Sequence, residues 1–85
     1  MNAKDALELV MNAGTPEERE TYLSAAHAAI AENARQGARE LPIRWAVAAE
    51  LEDGSRNPIF EFVRQTLLNE GFSIERVNGI EYIRW

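Results

Sequence analysis

The segment FSIERVNGIEYIRW, residues 72–85, decides the fold because its two halves can pair as antiparallel strands. Apolar and polar residues alternate on both sides of Asn78-Gly79, the pattern of a half-buried strand pair. This dipeptide favours a two-residue type I′ turn, since both of its residues tolerate positive φ. The turn sets Val77 opposite Ile80, and every later pair follows from that register. The segment therefore predicts a β-hairpin.

The predicted register separates the hairpin side chains into two faces. One face is predicted to cover the core, and it carries Phe72, Ile74, Ile83 and Trp85, with Phe72 opposite Trp85. On the same face, Arg76 lies opposite Glu81 and is predicted to form a cross-strand ion pair near the turn. The opposite face carries three apolar residues that folding only partly explains. We therefore interpret Val77, Ile80 and Tyr82 as candidate partner-binding residues.

Helix signals occupy the first half of the chain. Asn2 can cap a helix over residues 3–12. Thr15, followed by a proline and then by Glu18, has the spacing of a capping box, which predicts a second helix over 15–36. Many positions of this helix are alanine, which allows another element to approach closely. Internal packing is the favoured interpretation of that alanine face, and a homodimer seam is the alternative.

Between this helix and the hairpin, the pattern predicts a strand and then a helix. The segment ELPIRWAV, residues 40–47, alternates as a half-buried strand does, and Pro42 places it at an edge or a strand end. Its inward positions are predicted to be Leu41, Ile43, Trp45 and Val47. Residues 46–52 have a helix-forming composition, and a helix over 58–70 is predicted to stop at Gly71.

These elements predict a single small α+β domain over residues 1–85. Two N-terminal helices, a short strand, a third helix and the hairpin would form a three-stranded antiparallel sheet. The order also matches that of a winged helix, in which the 58–70 helix would enter the DNA major groove and the Asn78-Gly79 turn would be the wing. However, the exposed polar residues of that helix are net negative, which disfavours nucleic acid as a partner.

Composition restricts the chemistry available to the chain. There is no cysteine, the sole histidine is His27, and no glycine-rich phosphate loop occurs. We therefore predict a protein that is not an enzyme and that has no cofactor and no metal site. No segment has the ~20 apolar residues of a membrane span, and the N-terminus lacks a signal-peptide pattern. The expectation is a cytoplasmic protein of a bacterial host with no membrane partner.

The net charge is −5, and residues 1–34 carry six acidic and two basic side chains. Three of these acidic residues, Glu17, Glu18 and Glu20, lie in the first turns of the second helix. They are candidate residues for contacting a basic partner surface. The alternative is that they are solvated glutamates that stabilise the helix dipole.

The segments TLLNEGFSIERVNGIEYIRW and AIAENARQGARELPIRW resemble small uncharacterised tailed-bacteriophage α+β proteins. In those proteins a helix ends at glycine followed by Phe or Tyr, and a hairpin closes on an Ile-x-Trp-like end. The resemblance implies a phage or prophage origin and a compact α+β fold. It carries over no catalytic or binding residue.

The leading hypothesis from the sequence is a small acidic interaction protein, phage-encoded and non-enzymatic, that binds a host or viral protein. Two alternatives remain open. One is a winged-helix-like DNA-binding regulator, and the other is a self-assembling virion or structural component. A homodimer is compatible with each of them.

Overall fold

The computed structural model describes residues 1–85 and has the predicted α+β architecture. The helices are α1 (Ala3–Met11), α2 (Pro16–Arg35) and α3 (Phe60–Asn69), and the strands are β1 (Glu40–Pro42), β2 (Ser73–Val77) and β3 (Ile80–Arg84). The strands form one antiparallel sheet in the order β1-β3-β2. The last strand along the chain is therefore the central one.

Both N-terminal helices begin at the predicted caps. The Asn2 side chain accepts a hydrogen bond from the Asp5 N–H at 2.9 Å at the start of α1. At the start of α2, Thr15 Oγ1 accepts from the Glu18 N–H and the Glu18 carboxylate accepts from the Thr15 N–H, each at 3.1 Å. This reciprocal pair is the predicted capping box, and it satisfies two backbone donors that a helix start leaves free.

Helix α3 stops before Gly71, as predicted, and it ends in a Schellman motif. Gly71 has φ +100°, its N–H donates to the Leu68 carbonyl at 3.2 Å, and the Phe72 N–H donates to the Leu67 carbonyl at 3.1 Å. This arrangement reverses the chain and leads it from the helix directly into β2. The helix starts two residues later than predicted, because Pro58 and Ile59 form a turn before it.

The hairpin register agrees with the prediction along the whole ladder. It runs from Ser73 opposite Arg84 to Val77 opposite Ile80, and Asn78 and Gly79 have φ of +52° and +81°, as a type I′ turn requires. The predicted Phe72–Trp85 pair is wrong, since the ladder ends one pair earlier. The Trp85 N–H instead donates to the Arg39 carbonyl at 3.1 Å, which attaches the end of the hairpin to the residue before β1.

The predicted strand over 40–47 is mostly wrong. Only Glu40–Pro42 pairs with β3, and Ile43–Trp45 forms a 3₁₀ turn in which the Ile43 carbonyl accepts from the Ala46 N–H at 2.9 Å. The turn buries Ile43, Ala46 and Val47 together, which an extended strand with alternating faces could not do. Trp45, which was predicted to point inward, is 66% exposed.

The predicted helix over 46–52 is wrong as well. The Leu51 N–H donates to the Ser55 carbonyl at 2.8 Å, and the Asn57 N–H donates to the Ala49 carbonyl at 2.9 Å. Residues 48–57 therefore fold back on themselves as a short loop. Helix propensity is a weak preference, and here the burial of Val47 on one side of the loop and of Ile59 on the other overrides it.

The core lies between the sheet and helices α2 and α3. Its ten buried apolar side chains form one cluster. They are Ala26, Ile30, Leu41, Ile43, Ala46, Val47, Ile59, Val63, Leu67 and Ile83. Phe72, Ile74 and Trp85 of the hairpin pack against this cluster, which confirms the predicted core face. Helix α1 contributes no buried residue.

Candidate protein-binding surface

The two faces of the sheet have different surroundings. Side chains of directly paired residues lie on the same face, so the row Leu41, Ile83 and Ile74 is on the core side. Leu41 and Ile83 are completely or almost completely buried there. The next residues along each strand point the other way. The sheet therefore has one covered face and one outer face.

The outer face carries an apolar patch toward the hairpin turn. Pro42 pairs with Tyr82 and Val77 pairs with Ile80, and all four side chains lie on the outer face. Val77 is 42% exposed, while Pro42, Ile80 and Tyr82 are half-buried. We call these four residues the outer patch. It contains all three apolar residues that the sequence pattern singled out, and it adds Pro42.

The other end of the outer face is charged. Arg84 Nη1 donates to Glu75 Oε2 at 2.6 Å, and Arg84 Nη2 lies 3.7 Å from Glu40 Oε1. These three side chains come from the three strands, so they form an ion network across the sheet. The network borders the outer patch, because Glu75 lies directly opposite Tyr82, and it carries a net charge of −1.

Glu81 does not form the predicted ion pair with Arg76. Its Oε2 accepts a hydrogen bond from Arg64 Nη2 of α3 at 3.0 Å, and the same guanidinium lies 4.0 Å from Glu61. The hydrogen bond to Glu81 is the main cause that raises the pKa of Arg64, and the neighbouring negative charges add to it against the opposing effect of burial. The physical reason for the wrong prediction is that α3 packs over the hairpin on this face. Its arginine reaches Glu81, and Arg76 is left without a partner.

The freed Arg76 lines a cleft at the turn end of the sheet. The 3₁₀ turn after β1 contacts β3, so Ile43 and Arg44 form one side of the cleft. The other side is formed by Arg76, Gly79, Ile80 and Glu81. Ile80 belongs to both the cleft and the outer patch, so the two regions are continuous.

The acidic residues at the start of α2 form a separate site. Glu17, Glu18 and Glu20 are exposed, and the Glu18 carboxylate is engaged with the Thr15 N–H. No hydrogen bond or ion pair connects them to the outer patch. The acidic candidate residues of α2 and the apolar candidate residues of the outer patch therefore lie on two separate surfaces. Glu17 and Glu20 are the members whose carboxylates have no partner in the chain.

Trp45 is a candidate contact residue that the sequence pattern assigned to the core. It follows Arg44 directly on the 3₁₀ turn and is one of the most exposed large apolar side chains. Tryptophan is enriched among the residues that dominate binding energy at protein interfaces. The signal that could have identified it is Pro42, because a proline favours a strand end. If the strand ends there, the alternation of faces does not extend to Trp45.

His27 and the acidic residues do not form a metal site. His27 Nε2 lies 2.7 Å from Glu70 Oε1, so the pair connects α2 with the end of α3. No cluster of three or more His, Cys, Asp or Glu side chains could hold a metal ion. The structural partner of His27 is thus a residue 43 positions away along the chain.

The strand order β1-β3-β2, with a helix directly before the hairpin, is the order of a winged helix. The position of its second helix is occupied here by the 3₁₀ turn and the loop over 48–57. The only cation of α3 is Arg64, and both Glu61 and Glu81 neutralise it.

Comparison of the chain with protein-family models, with curated proteins and with solved structures gives no match. None of the helices combines the length and the apolar composition that crossing a membrane requires.

Proposed function

We propose that this protein is a non-enzymatic interaction protein, of phage origin, that binds a host or viral protein through the outer face of its sheet. The observation that carries the proposal is the outer patch. It consists of apolar side chains toward the Asn78-Gly79 turn, on the sheet face opposite the core cluster, and Val77 among them is 42% exposed. A preformed apolar surface binds without an ordering cost, which favours recognition.

The size of the patch indicates what else the partner contacts. A stable interface covers roughly 800 Å² on each partner, and four partly exposed side chains supply only part of that area. Trp45 and the cleft beside Ile80 extend the surface on the side of the 3₁₀ turn. The ion network at Arg84 supplies a polar rim on the opposite side, as interfaces usually have.

The acidic start of α2 contributes at longer range. Glu17 and Glu20 lie in a chain of net charge −5, so they attract a basic partner surface and repel acidic ones. Such charges act mainly on the association rate. Their effect should decrease as salt increases.

The test is a quantitative pull-down from bacterial host lysate with four baits. These are the wild type, Val77→Glu and Tyr82→Glu on the outer patch, and Leu9→Glu on α1 as a matched control, because Leu9 is exposed on a different surface. A protein that the wild type and Leu9→Glu recover and that both outer-patch variants lose supports the proposal. Its purified form should then bind the variants at least tenfold more weakly in calorimetry.

Two results contradict the proposal. One is recovery of nothing above a scrambled-sequence control. The other is equal recovery by the wild type and both outer-patch variants, which places any binding elsewhere. Circular dichroism of each bait establishes that the glutamate substitutions leave the fold intact.

A second candidate function, DNA binding, is favoured by the strand order. A winged helix would use α3 and the hairpin turn, whose free cations are limited to Arg76. Affinity for DNA depends on neutralised phosphates, so this set predicts weak binding at best. Fluorescence anisotropy with duplex DNA decides the matter: steeply salt-dependent binding supports this function, and no binding at ~50 mM salt eliminates it.

A further inference from the structure

The cleft at the turn end of the sheet has an unusual charge for this protein. It has a volume of about 200 Å³ and is lined by two arginines and a glutamate together with Ile43, Gly79 and Ile80. Neither Arg44 nor Arg76 makes a side-chain hydrogen bond or ion pair within the chain, whereas Glu81 is held by Arg64. The cleft therefore offers two unpaired guanidinium groups in a chain whose net charge is −5.

Three other arginines of the chain have acidic partners, whereas Arg19 and Arg39 donate to backbone carbonyls and Arg56 is unpaired. Arg35 is paired with Glu32, Arg64 with two glutamates, and Arg84 with two more. Acidic side chains outnumber basic ones by 14 to 9, so a free arginine is not a consequence of composition. The two at the cleft are unpaired because the 3₁₀ turn redirects Arg44 and because α3 removes Glu81 from Arg76.

We propose that this cleft is an anion site that takes a single carboxylate, an Asp or Glu side chain of the bound partner. Two guanidinium groups provide hydrogen-bond donors and charge for one carboxylate. The aliphatic walls, Ile43 and Ile80, suit the methylene groups that carry such a carboxylate. The Glu81 carboxylate on the wall repels a dianion more strongly than a monoanion, which selects against phosphate.

The link to a partner rests on the proposed function, but the anion site does not. Ile80 joins the cleft to the outer patch, so a segment that places its carboxylate between the arginines would place adjoining apolar residues on Val77 and Tyr82. The inferred ligand is thus an acidic residue next to apolar ones. We therefore expect the partner's binding segment to contain an acidic residue flanked by apolar residues.

The site itself can be tested with a small probe by NMR. Sodium butyrate is added to ¹⁵N-labelled protein at constant ionic strength, and the arginine Nε–Hε signals are followed. We expect saturable shifts for Arg44 and Arg76 and none for Arg56, which is a matched control because it is also exposed and unpaired. Arg44→Gln and Arg76→Gln should each weaken binding about tenfold, and Arg56→Gln should not, since a charged hydrogen bond is lost only at the cleft.

Three outcomes overturn the anion site as proposed. They are the absence of saturable shifts, equal shifts at Arg56, and tighter binding of inorganic phosphate than of butyrate in a parallel titration. The last result would identify a phosphate site instead of a carboxylate site.

Selection of random displayed peptides on the immobilised protein separates the site from the proposed function. We expect enrichment of peptides that combine an acidic residue with apolar neighbours and that lose binding to Arg76→Gln. Selected peptides that require Val77 for binding but contain no acidic residue would support the proposed function and contradict the carboxylate specificity of the cleft. If butyrate binds but no peptide is selected, the result supports the anion site in the cleft and contradicts partner binding by the outer patch.

Discussion

Replacement of Ile83 by valine tests the register on which both surfaces depend. Ile83 is 0% exposed at the centre of the sheet, whereas Ile80, three residues earlier on the same strand, is half-buried on the outer face. Removing one fully buried methylene group costs about 1 kcal/mol, in transfer free energy and residual cavity. At Ile80 the same change removes a group that is still partly in water, so its cost should be about half as large or less.

The magnitudes are measurable in a chain of this length. A loss of 1 kcal/mol corresponds to a decrease in Tm of roughly 4–8 °C for a small domain. Urea unfolding followed by far-ultraviolet circular dichroism gives the free energies of unfolding for the two variants. Ile83→Ala, which removes three carbons, should cost about 3 kcal/mol, a large share of the stability expected for so small a protein.

One result would refute the assignment of the faces. A one-residue shift of β3 would turn Ile80 and Tyr82 into the core and turn Ile83 out. Ile80→Val would then cost as much as Ile83→Val, or more. Equal slopes of unfolding free energy against urea establish that both variants are compared in the same two-state transition.

Two further predictions concern side chains away from the outer patch. A double-mutant cycle on Arg64 and Glu81, which are 26% and 18% exposed, should give a coupling energy of about 1 kcal/mol, whereas a cycle on Arg76 and Glu81 should give a value near zero. A larger coupling to Arg76 would contradict the geometry. The pKa of Asp53 is lowered chiefly by the hydrogen bond from the Ser55 side chain and then by that from its N–H. Since the folded-state pKa lies below the unfolded value, the interaction stabilises the fold above the ordinary aspartate pKa and is lost as pH falls through the folded value. NMR titration of Ser55→Ala should show Asp53 protonating at higher pH than in the wild type, and an unchanged titration would contradict this.

The features that local sequence could predict are those that depend on neighbouring residues. The Asn78-Gly79 turn alone determines the hairpin register, because no other pairing satisfies a two-residue type I′ turn. The capping box at Thr15 and the Schellman ending at Gly71 are likewise complete within a few residues. The three apolar residues of the outer patch follow from this register, so they too could be predicted.

The features that failed depend on contacts between distant segments. Alternation over 40–47 is compatible with a strand, but the 3₁₀ turn buries three of its residues against helices that the local pattern does not contain. The predicted Arg76–Glu81 ion pair failed for the same reason. Arg64 of α3, which is distant in sequence, competes with Arg76 for Glu81 and binds it instead. The cleft and the exposure of Trp45 both result from these long-range effects, so the local sequence could not predict them.

The buried Asn57 has a practical consequence for experiments on this protein. Its side-chain amide donates to the Ala48 carbonyl at 2.9 Å and its side-chain oxygen accepts from the Ile59 N–H at 3.1 Å, so it closes the base of the 48–57 loop. The tip of that loop is exposed, with open space beside Gly54. Exposed loop tips with closed bases accept inserted sequence at low entropic cost. An affinity tag or a fluorescent label placed beside Gly54 would therefore report on the protein while both chain ends, the outer patch and the arginine cleft remain unmodified.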